Sequence, residues 1–467
     1  MDDTENLMTD LFNRLATRFG DAFLTSQSAR EQHSGLEGDH HGRHPDAVVM
    51  AKSLDDVIDA VRLCHDHRTP IIPHGAGTSL EGHLSAMHGG ISLDVTGLDQ
   101  IIEIDPDNLR CRVGAGVTRE QLNHELRDSG LFFPIDPGAN ATLGGMASTR
   151  ASGTNAVRYG TMRENTLSLQ VVLADGQVIE TGTKAAKSSA GYDLTGLFVG
   201  SEGTLGIVTA VTLKLYGIPD TVLAGTCHFD DLHGAVRTVI TAIQIGIPLA
   251  RIELLDATQI AACNAYSHLE LPVKPTLFLE FHGSSVEVAE QFSLFGEIAE
   301  SNSGSTLEIA SKAEDRSRLW KARHNAYFAA KALRPGASVW STDVCVPIAR
   351  LAESIIETRE DVDRNGLIAT IVGHVGDGNY HVLFVLDPKC PEDRDKAAEV
   401  NHRMVDRALA AGGTCTGEHG IGIGKQECLV AERGSHAVAL MSMIKNTLDP
   451  LAIMNPGKIF AAHEPAK

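Results

Sequence analysis

The sequence predicts an α+β chain with a strand-rich, glycine-punctuated first domain and a second domain of longer helix-and-strand units. Three observations carry this. The chain has 467 residues, beyond the roughly 250–300 at which single cores stop growing. Residues 94–217 alternate short apolar runs with glycines, as in Cys111-Arg112-Val113-Gly114-Ala115-Gly116-Val117. Around Pro219 the texture changes to longer units, among them an alternating strand at 276–281 and a long helix at 313–333.

Taken in order, Leu7, Leu11, Leu15 and Phe19 recur at helical spacing, and a polar, His-rich linker follows to residue 40. Ala47–Met50 reads as a strand leading into a helix, with Ser53 as N-cap, Asp55 and Asp56 in the first turn, and Val57, Val61 and Leu63 on its apolar side. Next come a strand at 70–73, a glycine loop at 74–83 and a strand at 91–95. Further strands are expected at 169–173, closed by Asp175-Gly176, and at 208–215. A last helix at 437–448 stops at Asp449-Pro450. The expected domains are therefore 1–43 (helix and linker), 44–219, 220–430, and a tail at 431–467 that returns to the first domain.

A formal charge of −20 disfavours nucleic acid and anionic lipid, so an anionic ligand needs a locally positive pocket. No apolar run approaches the ~18–20 residues of a membrane span, and Met1-Asp2-Asp3 is no secretory signal. Eight scattered cysteines without a Cys-x-x-Cys pair argue against disulfide frameworks and structural zinc. The expectation is a cytoplasmic, reduced protein, compatible with docking on a membrane through a partner.

Glycine is enriched, at 45 residues against a typical ~7%. His74-Gly75-Ala76-Gly77-Thr78-Ser79 follows a strand, and Asp94 lies near the offset of a ribose-binding acid. No amphipathic helix follows the loop, so a Rossmann site is poorly supported. Other small-residue clusters are Pro137-Gly138-Ala139, Leu143-Gly144-Gly145, Ala151-Ser152-Gly153-Thr154-Asn155 and Gly203-Thr204-Leu205-Gly206. Each alone is a tight turn; together they fit one long phosphate-bearing ligand lying across them.

The stretches 73–80, 137–159 and 200–206 resemble the FAD-binding domain of the vanillyl-alcohol-oxidase or PCMH-type flavoproteins, and 44–460 resembles the FAD-linked D-lactate dehydrogenases within them. The resemblance implies a two-subdomain FAD-binding fold followed by a cap with an antiparallel sheet and flanking helices. By position it implies that Gly75, Ala76, Gly77, Thr78 and Ser79 hold pyrophosphate, with Pro73 among the cofactor contacts. It places Pro137, Gly138, Gly144, Gly145, Ser152, Gly153, Asn155 and Tyr159 along the flavin, and Glu202, Gly203, Gly206, Ile207 and Asn455 among the remaining cofactor contacts. His74 and His83 are candidates for a covalent flavin link, but the spacing of covalent relatives is absent, which favours non-covalent FAD.

The sharpest chemical signal is Gly373-His374-Val375-Gly376-Asp377-Gly378-Asn379-Tyr380-His381. With 376–379 as the turn, His374 pairs directly with His381 on one face, placing two imidazoles to chelate a divalent metal. In Thr416-Gly417-Glu418-His419-Gly420, Glu418 can complete the ligand set and His419 is left to act as a base. The resembling 2-hydroxy-acid dehydrogenases use the corresponding motifs in these roles, with zinc or manganese. Arg323, in Trp320-Lys321-Ala322-Arg323-His324, stands where the family places its substrate-carboxylate arginine.

The resemblance thus implies oxidation of D-lactate or a similar small D-2-hydroxy acid, with hydride to FAD and electrons to a cytochrome, a quinone or an electron-transfer flavoprotein; a homodimer is compatible with it. Relatives acting on D-2-hydroxyglutarate carry asparagine two residues after the second metal histidine, whereas here Leu383 suits a smaller, apolar acid. Alternatives are a D-2-hydroxyglutarate or glycolate dehydrogenase, a non-redox synthase like the alkyl-dihydroxyacetone-phosphate enzymes, a metal-dependent hydrolase, and a flavin subunit of a larger complex.

Overall fold

A computed structural model describes residues 3–35, 42–185, 187–310 and 312–460. Unit 1 is assembled from residues 1–152, 160–217 and 418–467, and unit 2 from 153–159 and 218–417.

In unit 1 the apolar runs Ala47–Met50, Ile71–His74 and Ile91–Asp94 form parallel neighbours, with Ile91–Asp94 between the other two. Parallel strands covered on both faces read as unbroken apolar stretches, and these are almost wholly buried. The crossover helix Leu54–Asp66 starts as expected: the Ser53 side chain accepts from the Asp56 N–H, and Val57, Ala60, Val61 and Cys64 enter the core. Phe23–Leu24 adds an antiparallel edge.

A second, antiparallel sheet runs in the order Ile101–Asp105, Arg110–Gly114, Ile207–Lys214, Thr166–Val172, Val178–Glu180. The opening helix Asp3–Phe19 buries Leu11, Leu15 and Phe19 in the core of this unit, so it is part of the domain. Leu7, assigned to the same stripe, is half exposed. Residues 36–41 of the expected linker lie outside the described residues.

The final segment closes unit 1. The helix Ser435–Leu448 ends at Asp449, whose carboxylate takes the buried Lys445 ammonium and the N–H groups of Ile453 and Met454. Met454 then bridges to Ile71, and Asn455 N–H donates to the Ile71 carbonyl.

Unit 2 is one eight-stranded sheet, ordered Glu308–Ala310, Thr221–His228, Thr276–Gly283, Leu249–Leu255, Ala369–Gly373, Asn379–Leu386, Ser338–Ser341, with Val344–Cys345 pairing the start of Asn379–Leu386. Every pairing is antiparallel. Thr276–Gly283, expected to alternate, is buried on both faces because it is a central strand between two others. The expected helix 313–333 is two helices, Ala313–His324 and Ala326–Ala332, hinged at Asn325, a poor helix former that serves as C-cap of one and N-cap of the other.

Two further boundaries differ from the sequence expectation. Residues 153–159 join unit 2, because Asn155 accepts from Arg251 at 2.9 Å and Tyr159 bonds His282 at 2.8 Å. Residues 418–430 join unit 1, where Glu202 and the Glu81 carbonyl hold them.

Candidate active site

In unit 2 the histidine hairpin forms with a register other than the one expected. Val372, not His374, stands opposite His381, because residues 375–377 coil into a 3-10 turn and Asn379 joins the second strand. Gly378 closes the turn at φ +81°, where a side chain would strike the Val346 carbonyl. His374 lies just past its strand, at φ −79° and ψ 65°, and this swing still brings the two rings together, centroids 5.5 Å apart and 83° between planes.

Each imidazole is held through Nδ1. That of His374 donates to Glu253 Oε1 at 2.7 Å, and that of His381 to the Thr342 carbonyl at 2.9 Å. The tautomer this network assigns puts the lone pair of each ring on Nε2, and an outer acceptor on Nδ1 is the arrangement that orients a ligating histidine. Glu253 was not singled out in the sequence, although a carboxylate inside the apolar strand Leu249–Leu255 is a signal that it must have partners. Its other oxygen takes Arg323 Nε at 2.8 Å and Nη2 at 2.6 Å. Burial would raise the Glu253 pKa, but His374 and Arg323 outweigh it and hold the carboxyl below the ordinary glutamate value. Two of the five N–H donors of Arg323 are spent in this way, on a side chain that is itself buried.

Leu383 is two residues beyond His381 on the same strand face and packs with Phe278, Trp320 and Val385 in an apolar cluster. Asp343, unassigned in the sequence, accepts from Asn379 Nδ2 and Thr416 Oγ1, each at 2.7 Å. With the Cys345–Thr414 bridge, this fixes residues 414–417 in unit 2. Gly417 is required there, since a Cβ would collide with Asn379 Nδ2. Glu418 is the next residue in the chain and the first of the last segment of unit 1.

In unit 1, His419 Nδ1 is 3.7 Å from Glu81 Oε1, which also takes Lys425 Nζ at 3.1 Å. Glu202 accepts the N–H groups of Ile421 at 2.7 Å and Gly422 at 2.8 Å and faces His83 Nε2 at 3.3 Å. Burial pushes the Glu202 carboxyl up; His83 and the two N–H groups more than offset it, and the group stays below its ordinary value. Gly420, at φ +83°, has no room for a Cβ, which would lie 2.7 Å from Glu202 Oε1 and 2.8 Å from His83 Nε2.

The residues expected along a cofactor fall into two groups. Among the described residues, the N–H groups of Gly75, Ala76, Gly77, Thr78 and Ser79 donate to no protein acceptor. Beside them Thr142 Oγ1, buried and without a partner, presses on Gly75 where a Cβ would lie. Unfilled donors next to an orphaned hydroxyl fit a phosphate-bearing group. A Cβ at Gly145 would also touch Thr142 Oγ1, at 3.0 Å, while Gly138 has open space and Ser152 is buried.

Other members of the list pack or brace instead. Gly144 lies against Ala115 and Gly206 against Val171, while Gly203 at φ +71° lies against Pro73. Ile207 opens a buried strand, and Asn455 Nδ2 donates to the carbonyls of His83 and Glu202. The Glu202 carboxylate is spent within unit 1, which departs from its expected cofactor contact. Gly153, Asn155 and Tyr159 belong to unit 2. His74 and His83, the candidates for a covalent link, are buried beside Asp94 and Glu202 respectively.

Two protein families match successive parts of the chain. Residues 45–182 match the family described as FAD binding domain, and residues 218–459 match FAD linked oxidases, C-terminal domain. A probable mitochondrial D-lactate dehydrogenase of Danio rerio is 50% identical over 444 residues, 94% of this chain and 89% of the relative. The mitochondrial D-lactate dehydrogenase [cytochrome] of Arabidopsis thaliana is 41% identical over 456 residues, 97% and 80%. Among solved structures, p-cresol methylhydroxylase with substrate bound shares the fold at a TM-score of 0.81 and 17% identity, covering 98% of this chain and 97% of that one. The mitochondrial location in the relatives' names corrects the cytoplasmic expectation. No helix among the described residues is long and apolar enough to cross a membrane.

Proposed function

The chain belongs to the FAD-linked oxidases, and we propose that it oxidises D-lactate, or a D-2-hydroxy acid of similar size, to the 2-oxo acid. One observation carries this reading: Glu253 holds Arg323 on one oxygen and His374 on the other. The cation suited to a substrate carboxylate and an imidazole suited to a metal are thereby fixed in one assembly.

Residues 75–79, with Thr142 beside them, would hold the pyrophosphate of a non-covalent FAD. His374, His381 and Glu418 would hold one divalent cation, zinc or manganese, Glu418 being joined by its peptide bond to the anchored Gly417. When bound, these groups supply a hydride acceptor and Lewis-acid polarisation of the substrate hydroxyl. The rest is the work of side chains. Arg323 fixes the substrate carboxylate with the N–H donors Glu253 leaves, and a guanidinium already clamped on one edge loses little freedom on binding. His419 removes the hydroxyl proton at an imidazole nitrogen, a step typically worth ~10²–10⁴-fold. The Glu81 carboxylate beside its Nδ1 stabilises the imidazolium that forms. Leu383 lines the far side with hydrocarbon and disfavours a second carboxylate. Electrons leave to an external acceptor of the cytochrome or quinone type.

Anaerobic mixing of the purified flavoprotein with D-lactate and L-lactate tests the proposal. Bleaching of the flavin band by the D enantiomer alone, and its loss in His381→Ala, are expected. No bleaching by either enantiomer, or by any other small 2-hydroxy acid, overturns it.

A further inference from the structure

We infer that unit 1 contains a second metal site, independent of the one proposed above, in which His33, His74 and Asp94 bind a divalent zinc-type cation at the head of the glycine loop 75–79.

The sheet register brings two of the three together. His74 and Asp94 are register partners at the ends of adjacent parallel strands, so their side chains share a face. The third arrives from the end of the short helix Gln27–Gln32, which His33 caps. All three are buried, and one ligand atom from each lies within 4.8 Å of the others.

The hydrogen bonding leaves a gap that a cation fills. His33 Nδ1 faces the Ala29 carbonyl at 2.8 Å, so in the neutral ring Nδ1 carries the proton and Nε2 the lone pair. That Nε2 points at Asp94 Oδ2 from 3.0 Å, which sets a lone pair against a carboxylate unless something positive stands between them. Asp94 cannot turn away, because Thr96 N–H at 2.8 Å and Thr96 Oγ1 at 2.5 Å hold its other oxygen. A proton on Nε2 would satisfy His33, but it would leave both ring nitrogens of His74 buried without a hydrogen-bond partner, Nδ1 only 3.6 Å from the same Oδ2. A cation takes a lone pair from each ring and the free oxygen of Asp94 at once, leaving only the outer Nε2–H of His74 without a partner.

The two separations to the carboxylate suit it. Ligands at the ~2.0–2.1 Å of a zinc–nitrogen or zinc–oxygen bond stand about 3.3 Å apart around a tetrahedral ion, and 3.0 Å and 3.6 Å bracket that value. Two imidazoles and a carboxylate select a borderline first-row cation over magnesium or calcium. The Ala29 carbonyl behind His33 and Thr96 behind Asp94 are the outer partners that such a site uses to fix its ligands.

The consequence is mechanical. His74 is the residue before Gly75, and its Nε2 lies under Gly77, 3.3 Å from where a Cβ would be. A cation on Nδ1 would tie the loop that carries the unfilled N–H donors to the helix Gln27–Gln32 within the same unit.

The test uses full-length flavoprotein loaded with zinc and dialysed without chelator, in a His381→Ala background so that the first site does not contribute. One zinc per chain is expected by elemental analysis, falling about tenfold or more in His381→Ala/Asp94→Asn and His381→Ala/His33→Gln. Zinc should also raise the melting temperature of His381→Ala and leave the double variants unmoved. Because a double variant could fail to fold, the unaltered protein is soaked in zinc as crystals and measured on both sides of the zinc absorption edge. An anomalous peak bonded to His33, His74 and Asp94 supports the site; full-occupancy zinc elsewhere with none here overturns it. A peak at His374 and His381 is scored separately, so either site can fail alone.

Discussion

Glu202 of unit 1 and Glu253 of unit 2 are both fully buried carboxylates held below their ordinary pKa, yet they are spent on different things. Glu202 takes two backbone N–H groups and faces one histidine, so it pins a segment of chain, the glycine-rich turn that follows His419. Glu253 takes two side chains, Arg323 and His374, so it sets the geometry of functional groups. A buried acid read from sequence is therefore ambiguous between scaffold and site. The partner atoms decide which it is.

The widest break in this comparison comes from Glu253→Gln. It leaves Arg323 charged and buried without its counter-ion, a loss of about 3–5 kcal/mol, and frees the His374 ring. Steady-state kinetics should show kcat/KM down by roughly 10²–10³-fold, with metal affinity down ~10–100-fold. Unchanged kinetics would end the claim that this carboxylate organises the site. Glu202→Gln should act on stability: two N–H groups lose a charged acceptor, about 1–3 kcal/mol, read as a lower melting temperature of unit 1, while the KM for substrate holds. A raised KM with an unmoved melting temperature reverses the assignment.

Gly420→Ala sharpens the same point from the other side. A Cβ at φ +83° meets Glu202 Oε1, at a backbone cost of about 1–2 kcal/mol, so the variant should reproduce the thermal loss of Glu202→Gln without adding to it in the double variant. Additive losses would separate the two residues.

The smallest effects are in pH. Burial pushes Asp256 of unit 2 up to about 6 from 3.8, partly offset by its bond to the Gln259 N–H and by Arg359. The stabilisation tied to its protonated form is complete below 3.8 and lost as pH rises through about 6. Burial pulls Lys458 of unit 1 down to about 8 from 10.5, with Glu202 opposing. Its contribution is complete above 10.5 and lost as pH falls through about 8. Calorimetry of Asp256→Asn and Lys458→Met should flatten the melting temperature against pH by a few degrees, in the acid range for the first and the alkaline range for the second. Identical profiles for variant and parent would remove these groups from the account.

What the sequence made legible is what is local. Ser53 with Asp55 and Asp56 announced a helix start, and Gly376-Asp377-Gly378 announced a turn between two histidine-bearing strands. The register was off because turn residues specify a reversal but not how many of them coil, and here Val375 coils with them. The buried acids were harder. Glu253 finds its partners 70 and 121 residues away, and Glu202 finds one 219 residues away, separations at which no spacing rule operates. Residues 153–159 read as part of a glycine-loop series, and only Arg251 and His282, contributed by strands of unit 2, show where they belong. The seam at Asn325 was masked by helix-forming residues on both sides.

The discontinuity of unit 1 has a consequence for the order of folding. All of unit 2 has been synthesised once residue 417 leaves the ribosome, whereas unit 1 still lacks residues 418–467. Ile71 cannot meet Ile453 and Met454 before then, nor can Glu202 meet Ile421 and Gly422. At translation speeds of about 5–20 residues per second, the first 217 residues wait on the order of ten to fifty seconds with a sheet edge unfilled. The domain made first is finished last, so during that interval it is the N-terminal half of the nascent chain that most needs a chaperone.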